Sequence, residues 1–147
     1  MTEAGWTLHP QLRGDTSPVG DLALCHVLAI DDADYPWLIL VPRRVGVIEI
    51  ADLGGEASLL MDEIMLASRS LKEVTRCDKL NIAAIGNVVP QLHIHLVARR
   101  KDDPLWPKPI WGSAPQRPGD AAAFARFLAA ISDRLGLAQG KSFFPAR

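Results

Sequence analysis

An alternation of polar and apolar residues at positions 91–99 most constrains what this chain can fold into. Such alternation is typical of a β-strand with one buried face and one open face. One face would carry Gln91, His93, His95, Val97 and Arg99, and the other would be aliphatic. Because buried polar groups are costly without partners, a packed sheet has no need of such a row, whereas an anion site does. We therefore expect a sheet with a candidate active site on this polar face.

The rest of the chain supplies further strands and two helices. Apolar runs at residues 22–30 and 37–41, joined by a polar link, predict an antiparallel pair of strands. Apolar residues at steps of three and four predict an amphipathic helix over residues 56–76, with Glu63 among the side chains left to water. A short strand precedes the two histidines, and a last helix follows at 120–135. This order predicts an α+β domain with a mainly antiparallel sheet.

The length and charge of the chain limit the classes of protein to consider. One domain accounts for 147 residues, and a Pro- and Trp-rich segment at 101–118 leads to the last helix. A formal net charge of -1 gives no bulk attraction to nucleic acid or to a membrane surface. The two cysteines form no CxxC pair, and no apolar run approaches the roughly 18 residues of a membrane span. We therefore expect a cytoplasmic protein with neither nucleic acid nor a membrane as a partner.

Two imidazoles at positions i and i+2 on one strand face can take different roles in a displacement reaction at phosphorus. One neutral ring attacks the phosphorus and forms a covalent phosphohistidine, while its neighbour hydrogen-bonds the nonbridging oxygens. Arg99, on the same face, is a further candidate to bind phosphate. A metal site is the alternative for His93 and His95, but a catalytic zinc ion needs three protein ligands, and His26 is the only other nearby candidate. We therefore expect neither a metal nor another cofactor.

Two motifs in this part of the chain resemble the signature of the histidine triad (HIT) superfamily of nucleotide hydrolases and transferases. Residues 86–89 read Gly-Asn-Val-Val where the family has Gly-Gln-Ser/Thr-Val, and residues 91–97 read Gln-Leu-His-Ile-His-Leu-Val where it has three alternate histidines. Asn81 matches an asparagine that precedes both motifs, and the resemblance covers about residues 22–100. It implies a single HIT-like domain over residues 1–147, with a five-stranded sheet, one long helix packed on it and a C-terminal helix. It also implies a homodimer.

The resemblance assigns roles to individual residues. His93 takes the place of the nucleophile that attacks an α-phosphate to give a nucleotidyl-histidine, and His95 that of the histidine that contacts the phosphate. Asp31, with Asp32 as the alternative, matches the acidic residue that bonds the ribose hydroxyls. Asn81 and Asn87 match polar positions that hold the phosphate chain or the loop around it. The substrates implied are small-molecule nucleotides, such as nucleoside phosphoramidates, dinucleoside polyphosphates or similar nucleotidyl conjugates.

Two departures from the family pattern leave a second function open. Gln91 completes the catalytic set in the place of the first triad histidine, and an amide cannot carry a proton. Val88 replaces the usual Ser or Thr, so a hydroxyl that could bond the leaving group is lost. A nucleotide-binding module with little or no catalytic activity is therefore the alternative to an enzyme. Trp106 and Trp111 could stack on a base, cover the site or pack against the sheet.

Overall fold

The computed structural model describes residues 2–113 and 116–137, which form a five-stranded antiparallel sheet with helices packed on it. The helices are α1 (Pro10–Asp15), α2 (Ala57–Thr75) and α3 (Ala121–Arg134), and a 3-10 helix (Ile50–Glu56) leads into α2. The strands are β1 (Ser17–Asp21), β2 (Cys25–Ile30), β3 (Trp37–Pro42), β4 (Lys79–Ala83) and β5 (Ile94–Arg99). Their order across the sheet is β1-β2-β3-β5-β4, with every neighbouring pair antiparallel. This architecture confirms the predicted α+β fold class.

The core lies between one face of the sheet and the helices α2 and α3. It is built from alternate aliphatic side chains of the central strands, among them Leu38 and Leu40 of β3 and Leu96 of β5. Leu60 and Leu71 of α2 are at most 1% exposed and belong to the same cluster. The apolar stripe predicted from the spacing of these residues is therefore the face that α2 packs on the sheet.

Glu63 of α2 is buried within this core, and the expectation that it faces water was wrong. Its carboxylate accepts hydrogen bonds from the main-chain N–H groups of Leu24 (2.7 Å) and Cys25 (2.8 Å). Burial is tolerated because these two donors replace the water that a carboxylate would otherwise bind. The contact fixes the start of β2 against α2.

Strand β5 carries the polar face, and it begins at Ile94 rather than at Gln91. The residues just before it bond outside the sheet, since the main-chain N–H of Leu92 donates to the carbonyl oxygen of Val47 (3.1 Å). From Ile94 onward alternate side chains enter the helix-side core, and His95 faces the opposite side. The predicted alternation is thus confirmed for the strand itself.

Two segments cover the face of the sheet that lies opposite α2 and α3. The N-terminal segment and α1 pack Leu8 and Leu12 against Leu28 of β2. The chain after β5 turns back over the end of that strand, where Ile110 packs on Val97. The histidines lie between these two covers. Of the helices in residues 2–113 and 116–137, none combines the length and apolarity needed to cross a bilayer.

Candidate active site

A cavity of about 550 Å³ opens on the polar face of the sheet between α1 and the segment after β5. One wall comes from α1 and the residue after it, a second from β2 and β3, a third from the loop before β5, and the last from residues 111 and 112. The lining residues are Gln11, Leu12, Asp15, Thr16, Ile30, Trp37, Ile39, Ile85, Gly86, Asn87, Val88, Val89, His93, His95, Trp111 and Gly112. The cavity is large enough for a nucleotide-sized ligand.

His93 lines this cavity with one ring nitrogen already committed. Its Nδ1 lies 2.7 Å from the main-chain carbonyl oxygen of Gln91. A carbonyl oxygen only accepts, so Nδ1 carries the proton and donates, and the lone pair of the neutral ring resides on Nε2. The ring is 7% exposed. The geometry therefore selects the tautomer in which Nε2 can act as a nucleophile.

His95 stands beside His93, with the ring centroids 5.0 Å apart, and has the opposite tautomer. The indole Nε1 of Trp37 donates to Nδ1 of His95 over 3.0 Å. Because an indole N–H can only donate, Nδ1 is the acceptor and the proton of the neutral ring lies on Nε2. Burial, together with the neighbouring His93, lowers the pKa of His95 to about 4. His95 is thus an uncharged N–H donor near neutral pH.

The side-chain amide of Gln91 bonds to the N-terminal segment and does not face the cavity. Its side-chain oxygen accepts from the main-chain N–H of His9 (2.9 Å), and its side-chain nitrogen donates to the carbonyl oxygen of Thr7 (2.9 Å). The amide is therefore occupied by the segment that leads into α1, and it is not among the residues that line the cavity. Gln91 thus makes three hydrogen bonds that position its neighbours, two between its amide and this segment and one between its carbonyl oxygen and the ring of His93.

Asn87 and Val88 lie in the loop before β5, which forms one wall of the cavity. Val88 is 78% exposed, so an apolar side chain occupies the rim at this point. Gly86, just before them, has a φ of 68°, a left-handed conformation that favours glycine and sharpens the turn into the wall. The loop thus brings the amide of Asn87 to the same cavity as His93.

Asp31 faces away from the histidines, contrary to its expected place beside a ribose. Its carboxylate accepts from the main-chain N–H of Gly119 (3.1 Å) and borders a second cavity of about 330 Å³ against α3, which shares Ile30 with the histidine cavity. Asp31 lies one residue beyond β2 and two after Ala29, which packs in the core with α2 and α3, so continued alternation puts its side chain on the helix side. Among the described residues, Asp15 is the carboxylate in the wall of the histidine cavity. No sequence motif pointed to it.

Arg99 and Asn81 hydrogen-bond to each other, and neither side chain lines the histidine cavity. The guanidinium of Arg99 is 1% exposed, pairs with both carboxylate oxygens of Asp103 (2.7 and 2.9 Å) and donates to Oδ1 of Asn81 (2.8 Å). It also lies over the rings of Tyr35 and Trp106. Hydrogen bonding to Arg99 lowers the pKa of the Asp103 carboxyl. The structure therefore contradicts the expected phosphate contact of Arg99, and its charge is used to hold the segment after β5.

Among the residues that the structure describes, His93 and His95 have no third side chain placed with them to bind a metal ion. His26 bonds to Asp21, which also pairs with Arg43 (2.8 Å), and it does not line the cavity of His93 and His95. Within the described ranges, no group of three His, Cys, Asp or Glu side chains is placed to hold a metal ion. The arrangement fits a nucleophile beside a hydrogen-bond donor better than a metal centre.

Comparison with known proteins identifies the family to which this chain belongs. The sequence model of the HIT domain family matches residues 13–102. A histidine triad protein from Bradyrhizobium japonicum is 51% identical, with a TM-score of 0.86, and the match covers 88% of this chain and 98% of that one. Histidine triad proteins from Sinorhizobium meliloti and Marinobacter aquaeolei are each 39% identical with a TM-score of 0.85, covering 88% and 89% of this chain and 97% and 96% of theirs. The search of curated proteins found no match. From the extent of the family match and these three structures, the chain belongs to the HIT domain family.

Proposed function

We propose that this protein is a nucleotide hydrolase or nucleotidyl transferase that acts at an α-phosphate through a covalent nucleotidyl-histidine on His93. The observation that carries the proposal is the hydrogen bond from Nδ1 of His93 to the carbonyl oxygen of Gln91. It leaves a lone pair on Nε2 of a ring that lines a nucleotide-sized cavity. When phosphorus bonds to Nε2 the ring becomes cationic, and the same carbonyl then accepts from a more acidic N–H, which favours the intermediate.

The reaction runs in two displacements. In the first, Nε2 of His93 forms a bond to the α-phosphorus while the bond between phosphorus and the leaving group breaks. The leaving group departs with that electron pair and takes up a proton from solvent. In the second, water or an acceptor hydroxyl attacks the phosphorus, the N–P bond breaks, and its electron pair returns to Nε2. The proton of the attacking group passes to solvent, and His93 is restored.

Other residues of the cavity have supporting roles. The Nε2–H of His95 donates to a nonbridging oxygen, where this fixed donor stabilises negative charge. Asn87 offers its amide to the same phosphate from the loop wall. The nucleoside lies between α1 and β2, where Leu12 and Ile30 give an apolar wall, and Asp15 at the rim accepts from hydroxyl groups.

We also propose a homodimer, which the distribution of exposed apolar side chains supports. Met61 and Met65 lie one turn apart on α2 and are 54% and 49% exposed. Ile82 lies on β4, an edge strand of the sheet, and is 47% exposed. Exposed apolar side chains and an unpaired strand edge are features that association between chains would cover. Sedimentation equilibrium tests this, and a monomer at all concentrations would contradict it.

Turnover of a panel of adenylated and guanylated conjugates tests the enzymatic proposal. The panel contains nucleoside phosphoramidates and dinucleoside polyphosphates, and the variant is His93→Asn. Loss of the nucleophile is expected to lower kcat by about three orders of magnitude or more. His9→Asn is the matched control, because His9 lies outside the cavity and Asn keeps the cap that His9 gives to α1. Equal turnover by wild type and His93→Asn would contradict the proposal.

The second candidate is a nucleotide-binding module without appreciable catalysis. The exposed apolar side chain of Val88 at the cavity rim favours it, since no hydroxyl is present there to assist a leaving group. This alternative predicts nucleotide binding by calorimetry with no product from any member of the panel. The enzymatic proposal predicts both binding and product.

A further inference from the structure

Residues 3–9, which we call the N-terminal strap, lie on the face of the sheet that carries the histidines. Glu3 fixes one end of the strap just after β3. Its main-chain N–H donates to the carbonyl oxygen of Arg43 (3.1 Å), and its carboxylate accepts from the N–H of Val45 (2.7 Å). Further along, Leu8 is 4% exposed and packs with side chains of β2 and β3. The strap is therefore bonded to the sheet before it reaches the cavity.

The other end of the strap is held by the side chain of Gln91. Its oxygen accepts from the N–H of His9 (2.9 Å), and its nitrogen donates to the carbonyl oxygen of Thr7 (2.9 Å). Both partners are main-chain groups, so these bonds do not use the side chains of residues 7 and 9. An amide can accept and donate at once and does not titrate, whereas a protonated imidazole only donates. A glutamine at this position therefore holds the strap at any working pH.

The main chain of Gln91 orients the nucleophile, and it lies outside the sheet. Its carbonyl oxygen is the acceptor for Nδ1 of His93 (2.7 Å), but β5 and its pairing with β3 begin only at Ile94. Among the described residues, the hydrogen bonds that hold this turn come from the side chain of Gln91 and from the N–H of Leu92, which donates to the loop after β3. The strap thus provides part of the support that the strand does not give.

We propose that the N-terminal strap is a positioning element of the active site: through the side chain of Gln91 it holds the carbonyl oxygen that orients the ring of His93. This role depends on the proposed attack by His93. Gln91 is then a positioning residue, and the amide in the place of the first triad histidine is the partner of the strap. The HIT family match begins at residue 13, so Gln91 lies inside the matched region and the strap outside it.

The same hydrogen bonds place one wall of the cavity. Helix α1 begins at Pro10, directly after the strap, and contributes Leu12 and Asp15 to the lining. One amide thus supports both the wall proposed for the nucleoside and the carbonyl oxygen that orients the nucleophile. Loss of the amide of Gln91 is therefore expected to change kcat, through His93, and KM, through α1.

Gln91→Met tests this role, because methionine is unbranched and flexible like glutamine and makes neither hydrogen bond. Nitrogen NMR of the imidazole measures the tautomer of His93. The ratio of the Nε2–H to the Nδ1–H form is expected to rise about fivefold, the factor that one hydrogen bond of ordinary strength gives. On the preferred substrate of the panel, kcat is expected to fall with the Nδ1–H population and KM to rise about fivefold. Gln116→Met is the matched control, since that amide donates to the carbonyl oxygen of Asp31 (2.7 Å) outside the histidine cavity.

A second variant changes the strap and leaves Gln91 intact. His9→Pro removes the N–H that donates to Gln91, and the φ of His9 is −54°, which proline adopts. His9→Ala is its control, because it lacks the same side chain but keeps the N–H. His9→Pro is expected to shift the tautomer of His93 in the same direction as Gln91→Met, and His9→Ala is expected to leave it unchanged.

The NMR measurement needs no substrate, so it separates the role of the strap from the proposed reaction. If wild type turns over no member of the panel, the proposed reaction fails, and the tautomer of His93 alone decides the role of the strap. The same tautomer ratio in wild type, Gln91→Met and His9→Pro overturns that role, whatever the stability or turnover of the variants.

Discussion

Replacement of Trp37 by phenylalanine isolates the hydrogen bond that sets the tautomer of His95. The substitution keeps an aromatic ring at this position of β3 and removes the one indole N–H that donates to Nδ1. Leaving Nδ1 buried without a donor is expected to cost about 1–3 kcal/mol of unfolding free energy. The lost bond stabilised the neutral ring, so the pKa of His95 rises, by about 0.7 for each kcal/mol. The pKa stays below 6.5 because the burial that depresses it remains.

The same substitution is expected to lower kcat by at most about fivefold, since loss of a hydrogen bond worth about 1 kcal/mol shifts the tautomer ratio by that factor. Nitrogen NMR of the imidazole measures the tautomer and the pKa of His95 directly, and kcat comes from the preferred substrate of the panel. Trp106→Phe is the matched control, since that indole lies over Arg99 and outside the cavity. The reasoning is refuted if Trp37→Phe leaves the Nε2–H tautomer, the pKa and kcat all at their wild-type values.

Three further outcomes follow from the same contacts. Gln91→Ala removes two hydrogen bonds to the segment before α1, so urea unfolding should show a loss of about 1–2 kcal/mol and calorimetry a weaker nucleotide affinity. His95 stays neutral in the native state down to about pH 4, whereas in the unfolded chain it takes up a proton below about pH 6.5. The free energy of unfolding should therefore fall as the pH is lowered from 6.5, by up to about 3 kcal/mol at pH 4. In His95→Phe this pH dependence should be flatter. Arg99→Met strands the buried Asp103 carboxylate and should cost about 3–5 kcal/mol, whereas Arg99→Met with Asp103→Leu should recover most of it. Unchanged stability in Arg99→Met with lost nucleotide affinity would contradict the structural role of Arg99.

The fold and the centre of the site could be predicted because both depend on periodicity. Alternation along β5 sets which side chains share a face, and that rule holds for His95 whatever its neighbours are. Spacing by three and four likewise defines the packed face of α2. The family resemblance adds the loop of Asn87 before the strand, and the structure places that loop in the wall of the cavity.

The errors concern charged and polar side chains whose partners are distant in sequence. Glu63 accepts from residues 38 and 39 positions away, and periodicity alone assigns such a carboxylate to water. Arg99 lies on the predicted face, but its N–H groups are hydrogen-bonded to Asp103 and Asn81 and are not available to a phosphate. Trp37 could not be singled out either, because its contact with His95 depends on the pairing of β3 with β5.

Mass spectrometry of the protein during turnover tests the central claim most directly. The reaction is quenched in alkali, which preserves a nucleotidyl group bound to histidine nitrogen, and the digested peptides are sequenced. The account predicts a nucleotidyl adduct on His93, none on His95 and none in His93→Asn. Substrate turnover with no adduct on His93 at any time, together with full activity of His93→Asn, would contradict it.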